Sequence, residues 1–248
     1  MLQNKVAFVT GASRGIGAAI ALALAQDGAD VAINYRNSHA EAERVLAQVE
    51  AYGRKGLLVQ GDIADLASQE QLVSKVLDYF GRIDILVNNA GVTLRKPFFE
   101  VQEADWDSVL NTNLRSVYFL SQRVARDMLG RGSGVIINIA SDAGLQVKNN
   151  TGIEYGISKC GTIYLTQSLA ATLAPHIRVN AISPGYTLTD MATFRYDPQR
   201  QRDIEGKLPL GRVNTPQDIA HMAVFLASSR ASNITGQNFI IDGGASVR

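Results

Sequence analysis

Seven short runs rich in valine, isoleucine and leucine constrain this chain most: Val6 to Thr10, Val31 to Tyr35, Leu57 to Gln60, Ile83 to Asn88, Val135 to Ala140, Ile177 to Ser183 and Asn238 to Ile241. Longer stretches of helical period separate them. Most of the runs are apolar at consecutive positions, so as strands they need cover on both faces, and the intervening helices supply it. The pattern predicts a doubly wound α/β fold: a mostly parallel, seven-stranded sheet with helices on both faces, joined by right-handed crossovers. No repeat, low-complexity tract or Pro/Ser-rich linker divides the 248 residues, so one domain over 1–248 is expected. One stretch breaks the rhythm. Tyr186 to Asn214 carries Gly206, Gly211, Pro198 and Pro209 among polar residues, and reads either as a substrate lid with an inserted helical piece or as a mobile surface loop.

Charge and composition exclude several functions. Twenty-four basic residues face 23 acidic ones with no Lys/Arg cluster, which leaves no footprint for a nucleic-acid partner. The first residues enter a strand without a signal-peptide pattern, and the longest apolar run, Ala18 to Ala25, is far short of the ~20 residues that cross a bilayer, so no membrane is expected. The single cysteine, Cys160, forms no intrachain disulfide, which suits the cytoplasm; it is expected to be a small packed thiol. His39, His176 and His221 are widely scattered, so no metal site is expected.

Twenty-two glycines stand against six prolines, and their positions matter. The first run passes directly into Gly11, Ala12, Ser13, Arg14, Gly15, Ile16 and Gly17, then into an Ala/Leu-rich helix. Glycines here permit a tight turn and let backbone amides approach a pyrophosphate at a helix amino end, as in Rossmann-like dinucleotide sites; an ordinary strand-to-helix turn would carry the same residues. The second strand ends Asn34, Tyr35, Arg36, with no acid to accept bonds from a ribose 2′-hydroxyl. Arg14 and Arg36 are placed to bracket a 2′-phosphate, which favours NADP(H) and leaves NAD(H) as the alternative; the other reading is two solvated arginines.

Tyr155 and Lys159 lie four apart in a helical stretch, Glu154 to Leu173, and so share a face. A cation beside a phenol favours phenolate and is expected to pull the tyrosine toward working pH as a general acid-base. Ser141 ends one strand, Asn88 to Gly91 another, and Pro184 with Gly185 a third, all on the rim where such sheets bind ligands. Asn113 falls inside the apolar stripe Trp106, Leu110, Val117, Val124, Met128 of an expected helix from Glu103 to Leu129. It is either a satisfied core amide or the anchor of a proton path to Lys159.

TGASRGIG at Thr10 to Gly17, NNAG at Asn88 to Gly91, Asn113, Ser141, Tyr155 to Lys159, Pro184 with Gly185, and IDGG at Ile241 to Gly244 together resemble the classical short-chain dehydrogenase/reductases across essentially the whole chain. The resemblance implies roles. Tyr155 would be the general acid for carbonyl reduction and the base for alcohol oxidation, and Ser141 would bond the substrate oxygen. Lys159 would hold the nicotinamide ribose, with Asn113 anchoring a water beside it. Asp62 and Ile63 resemble the family's adenine contact, Asn89, Ala90 and Gly91 its adenosine-side wall, and Thr187 with Thr189 its carboxamide contacts. Within the family the nearest pattern is that of 3-oxoacyl carrier-protein reductases and the sugar and polyol dehydrogenases similar to them. Ala171 departs from the carrier-protein pattern, which commonly has an arginine there; Arg126 and Arg131 are left as sources of positive surface. The polar loop before Tyr155, with Lys148, Asn149, Asn150 and Glu154, suits either a polar substrate or a surface excursion. Three functions are therefore carried: reductase of a 3-oxoacyl thioester on CoA or a carrier protein, dehydrogenase of a sugar, polyol or other small alcohol, and non-catalytic nucleotide-binding scaffold. The resemblance also implies a homotetramer.

Overall fold

A computed structural model of the chain describes residues 1–147, 152–192 and 197–247. Strands and helices alternate as β1 (Val6–Val9), α1 (Gly15–Gln26), β2 (Asp30–Tyr35), α2 (His39–Ala51), β3 (Gly56–Gln60), α3 (Leu66–Phe80) and β4 (Ile85–Asn88). The second half runs α4 (Glu103–Leu110), α5 (Ser116–Gly130), β5 (Gly134–Ile139), α6 (Ile153–Leu173), β6 (Ile177–Pro184), α7 (Pro198–Glu205), α8 (Pro216–Ala227) and β7 (Asn238–Ile241). The seven strands form one sheet in the order β3-β2-β1-β4-β5-β6-β7, and every pairing is parallel. The chain winds outward from β1 to β3, then returns to lay β4 against the other side of β1. The carboxyl ends of β1 and β4 therefore flank the switch point, where open sheets of this kind leave a crevice.

Strand alternation explains the cover on both faces. Val9, Ile33, Val87 and Ile137 pack with Ile20 and Leu24 of α1, Val45 and Val49 of α2, and Ile219 and Leu226 of α8. Phe8, Leu86, Ile136 and Val179 point the other way, onto Leu72 and Val76 of α3, Leu120, Val124 and Met128 of α5, and Leu173 of α6. Each such side chain fully removed from water contributes roughly 1.5–3 kcal/mol.

Three sequence expectations change. The helix expected over Glu103 to Leu129 is two helices joined by a π-helical turn, Asn111–Arg115. That wider turn shifts the faces before and after it out of line, so Val109 is buried while Trp106, expected in the stripe, stays 40% exposed. Cys160 is exposed rather than packed, because α6 turns Lys159 inward and the next residue outward. The segment after β6 is more than a surface loop. Thr187 pairs with Asn214, α7 stands within it, and Ala192, Leu208 and Val213 form a small core with Tyr186, Leu188 and Ile204.

Candidate active site

The glycine turn is built for close approach. Gly11 and Gly15 take φ of +61° and +59°, which side-chain-bearing residues rarely adopt, and a Cβ on Gly17 would collide with the Gly11 carbonyl and the Asn89 amide. The ends of β1 and β4 are laced together across the switch point. The Thr10 hydroxyl accepts from the backbone N–H of Asn89 at 2.9 Å and of Ala90 at 3.0 Å, and the Asn89 amide donates to the carbonyls of Thr10 at 2.9 Å and Gly11 at 3.1 Å. Asn34 pins the turn from below. Its Oδ1 accepts from the Gly11 N–H at 3.2 Å, and its Nδ2 donates to the carbonyls of Val59 and Gly61. Asn34, expected to contact the cofactor, commits its amide to backbone and so holds the turn in place.

Ser13 and Ile16 lie half-buried in the turn, and Ile16 packs on the core beneath. Tyr35 is buried, with its hydroxyl 2.6 Å from His39 Nδ1. Arg14 and Arg36 are exposed, and each meets a carboxylate: Arg14 faces Asp190 at 3.8 Å, and Arg36 donates to Asp62 at 3.1 Å. These exposed pairs are worth little individually, so they hold the cations near the crevice without locking them. Ile63, beside Asp62, is buried in the core.

At the other end of the crevice, α6 presents Tyr155 and Lys159 on one face, as expected. Lys159 is buried, donates to the Ile139 carbonyl at 2.8 Å and lies 5.7 Å from the centre of the Tyr155 ring. Burial disfavours its charged form and brings its pKa down to about 8. Ser141 is buried at the end of β5, where its hydroxyl accepts from the Ala143 N–H at 3.2 Å, lies 3.3 Å from Asp142 Oδ1 and bonds to Tyr155. The expectation that Lys159 pulls the phenol down is overturned. Burial is the largest influence and pushes Tyr155 above its ordinary value; the Ser141 bond opposes this, the Asp142 carboxylate adds to it, and Arg95 opposes it. Desolvation of the buried phenol outweighs the influences that lower it.

The Asn113 side chain is hydrogen-bonded within the fold. Its Oδ1 accepts from the Val92 N–H at 2.8 Å, while its Nδ2 donates to the Val92 carbonyl at 2.8 Å and to Ser158 Oγ at 3.1 Å. The side chain clamps the chain just after β4 onto α6, and its backbone carbonyl accepts from Thr162 Oγ1 at 3.2 Å. A Cβ on Gly91 would sit 3.2 Å from Asn113 Oδ1 and 3.7 Å from Lys159 Nζ, so the chain after β4 passes its bare backbone next to Lys159.

The end of β6 closes the group. Pro184 finishes the strand, the Gly185 N–H donates to the Ile241 carbonyl at 2.8 Å, and the buried Thr187 hydroxyl donates to the Gly185 carbonyl at 3.0 Å. A Cβ on Gly185 would meet Asp242 and would sit 3.0 Å from Asp142 Oδ2, while the Thr189 side chain lies 3.6 Å from where a Gly15 Cβ would stand. Sequence reasoning missed Asp142 and Gly144. A Cβ on Gly144 would come within 2.7 Å of the Lys159 and Cys160 backbone, and the Ser141-x-x-Gly144 spacing was the available signal. Glu154 is buried; Lys148, Asn149 and Asn150 lie outside the described residues. Of the two arginines read as sources of positive surface, Arg131 pairs with Asp127 at 2.6 Å and Asp84 at 3.3 Å, and Arg126 is exposed.

Among the described residues, no helix is long and apolar enough to cross a membrane, and no cluster of metal-ligating side chains is found. The family model described as enoyl-(acyl carrier protein) reductase matches residues 11–246. The 3-oxoacyl-[acyl-carrier-protein] reductase of Staphylococcus aureus is 40% identical over 245 residues, 98% of this chain and 99% of that one. The 2-dehydro-3-deoxy-D-gluconate 5-dehydrogenase of Dickeya dadantii is 40% identical over 251 residues, covering 98% and 96%. A solved short-chain dehydrogenase from Burkholderia cenocepacia in complex with NADP superposes with a TM-score of 0.93 at 38% identity, over 99% of each chain. Matched over nearly its whole length by the family model and by these relatives, the chain belongs to the short-chain dehydrogenase/reductase family of NAD(P)-dependent oxidoreductases.

Proposed function

We propose that the protein, one unit over 1–248, is an NADP(H)-dependent oxidoreductase interconverting a carbonyl and a secondary alcohol, with 3-oxoacyl thioesters of CoA or a carrier protein as its first substrate class. The observation that carries this is the meeting of Ser141, Tyr155 and Lys159 on the rim that also holds the bare glycine turn. The relatives that act on 3-oxoacyl carrier protein, and the solved neighbours bound to NADP or NADPH, support it.

The glycine turn suits a dinucleotide: Gly11 and Gly15 take positive φ, and Gly17 has no room for a side chain against the Gly11 carbonyl and the Asn89 amide. Gly11, Ser13, Gly15, Ile16 and Gly17 would take the pyrophosphate, with Asn34 and Tyr35 shaping the floor. Arg14 and Arg36 would take the 2′-phosphate. Asp62 and Ile63 would meet the adenine, and Asn89 to Gly91 the adenosine side. Pro184, Gly185, Thr187 and Thr189 would meet the nicotinamide end. When bound, the cofactor supplies hydride. Ser141 orients the substrate oxygen, Tyr155 gives it a proton, and Lys159 holds ribose hydroxyls beside them. A phenol held above its ordinary pKa carries its proton at neutral pH.

A second reading, a sugar, polyol or other small-alcohol dehydrogenase, is favoured by Ala171 and by the pairing of Arg131 with Asp127 and Asp84, which leaves Arg126 as the exposed one of the two arginines. NADPH consumption across acetoacetyl-CoA, a carrier-bound oxoacyl chain, ketoses and simple ketones separates the readings. Turnover of the thioesters supports the first, and turnover of ketoses alone the second. Silence across the whole set supports a non-catalytic nucleotide-binding scaffold. The exposed Tyr118, Ile157 and Tyr164 on α5 and α6 support a homotetramer, which light scattering tests. One cysteine fits a reducing compartment, so the proposed setting is the cytoplasm.

A further inference from the structure

Only residues 36–38 separate the end of β2 from the start of α2, and the first of them is Arg36. The residues flanking this short loop touch each other. The Tyr35 hydroxyl lies 2.6 Å from His39 Nδ1, the two rings are 5.5 Å apart between centres, and His39 Nε2 lies 3.3 Å from Glu43 Oε1, one turn further along α2. A carboxylate only accepts hydrogen bonds, so Glu43 favours a proton on Nε2 and leaves Nδ1 to accept from the phenol. Tyr35 is buried in the core with Ala42 and Val45 of α2, so the strand end is a fixed anchor, whereas His39 and Glu43 are exposed. The exposed Glu43 contact is worth little on its own. The bond from the buried phenol is the stronger tie, because a phenol left unpaired there would bear its full desolvation cost. Arg36 is held from the opposite side as well. Gln60 Nε2 donates to its carbonyl at 3.3 Å, and its guanidinium donates to Asp62 at 3.1 Å.

We propose that His39 is a positioning residue: its hydrogen bond with Tyr35 clips the loop that presents Arg36, and so sets the discrimination between a dinucleotide with a 2′-phosphate and one without. The inference rests on the reading above in which Arg36 takes that phosphate. The argument is one of pre-organisation. A three-residue loop fixed at both ends has few conformations, so Arg36 gives up little freedom on bonding a phosphate. Once the clip is broken, the loop must be ordered at the moment of binding, and that cost is subtracted from affinity. A dinucleotide without the 2′-phosphate makes no use of where Arg36 stands, so its affinity should change less.

The test titrates NADPH and NADH into the full-length protein and follows nicotinamide fluorescence, which needs no substrate; the readout is the ratio of the two affinities. His39→Ala and Tyr35→Phe should each lower the NADPH-over-NADH ratio by about three- to tenfold, the scale of one net hydrogen bond. The double variant should lose no more than either single one, since both break the same contact. His39→Asn, which keeps an acceptor oxygen close to the position of Nδ1, should recover most of the wild-type ratio. In an Arg36→Ala background His39→Ala should add nothing further, because the clip acts through that arginine. A ratio unmoved by His39→Ala, equal weakening of both cofactors, additive losses in the double variant, or a further loss in the Arg36→Ala background each overturns the assignment. His39 is exposed, so its variants test the proposal even if Tyr35→Phe folds poorly. A ratio that Arg36→Ala itself leaves unchanged overturns the reading of Arg36 as the phosphate ligand, an outcome separate from failure of the clip alone.

Discussion

Tyr155 and Lys159 show how burial, more than adjacency, sets proton affinities in this crevice. Replacing the phenol by Tyr155→Phe removes the proton donor and leaves the glycine turn untouched. NADPH should therefore still protect the protein from heat, while turnover falls by at least 10²-fold, the typical contribution of a positioned acid. Residual activity near wild type would show the proton coming from elsewhere. Lys159 makes a sharper case. The unfolded chain keeps its ammonium protonated to a pH of ~10.4, while the folded protein releases the proton near 8. Between those values the unfolded state binds more protons, so this group's contribution to stability rises with pH, and below 8 the folded protein carries a buried charge at a cost of about 3 kcal/mol. Lys159→Met should thus melt higher relative to wild type at pH 7 than at pH 10, with the gap narrowing between pH 8 and 10. A gap independent of pH would mean that the lysine is not held down by burial. Tyr155, Lys159 and Ser141 were legible because a four-residue helical spacing and a strand end are local facts. The direction of the phenol's shift was not, because it depends on what the folded chain packs over the ring.

At the scale of elements, contact between α6 and the turn after β5 decides whether Ser141 and Tyr155 meet. Gly144 makes that contact possible, since a Cβ there would sit 2.7 Å from backbone atoms of Lys159 and Cys160. Backbone cannot rotate away as a flexible side chain can, so Gly144→Ala must part the two elements, at a cost of typically 1–3 kcal/mol. We expect a lower melting temperature and a loss in kcat larger than any rise in KM, because the serine moves relative to the tyrosine. Full activity in Gly144→Ala would show that the turn yields without disturbing the site. The strands themselves were legible. Consecutive apolar residues in Val31 to Tyr35 or Ile177 to Ser183 can be covered only in a sheet buried on both faces. The π-helical turn at Asn111–Arg115 was not, because the Glu103 to Leu129 pattern reads as one continuous helix. The Asn113 clamp on Val92, and the Ser158 contact that supports it, tie that turn to partners about 20 and 45 residues away, outside any local window.

For the molecule as a whole, the near balance of charge hides a local choice at the crevice mouth. Arg14 and Arg36 stand on separate elements, before α1 and just after β2, and in the proposed reading they share one ligand. The sequence placed them there but did not reveal their acidic partners, Asp190 and Asp62, which come from distant segments. A 2′-phosphate carries more charge than either exposed carboxylate and can bond both guanidiniums, so it should displace these weak pairs. NADPH should therefore raise the melting temperature more than NADH at equal concentration. If affinities differ tenfold and both ligands are in excess, linkage gives about 1.4 kcal/mol, or about 3 to 5 °C for a protein of this size. The difference should shrink with added salt, since both cations are solvent-facing, and should largely vanish in the double variant Arg14→Ala, Arg36→Ala. Equal protection by the two cofactors in wild type, or a preference that survives the double variant, would place the selection somewhere other than these arginines.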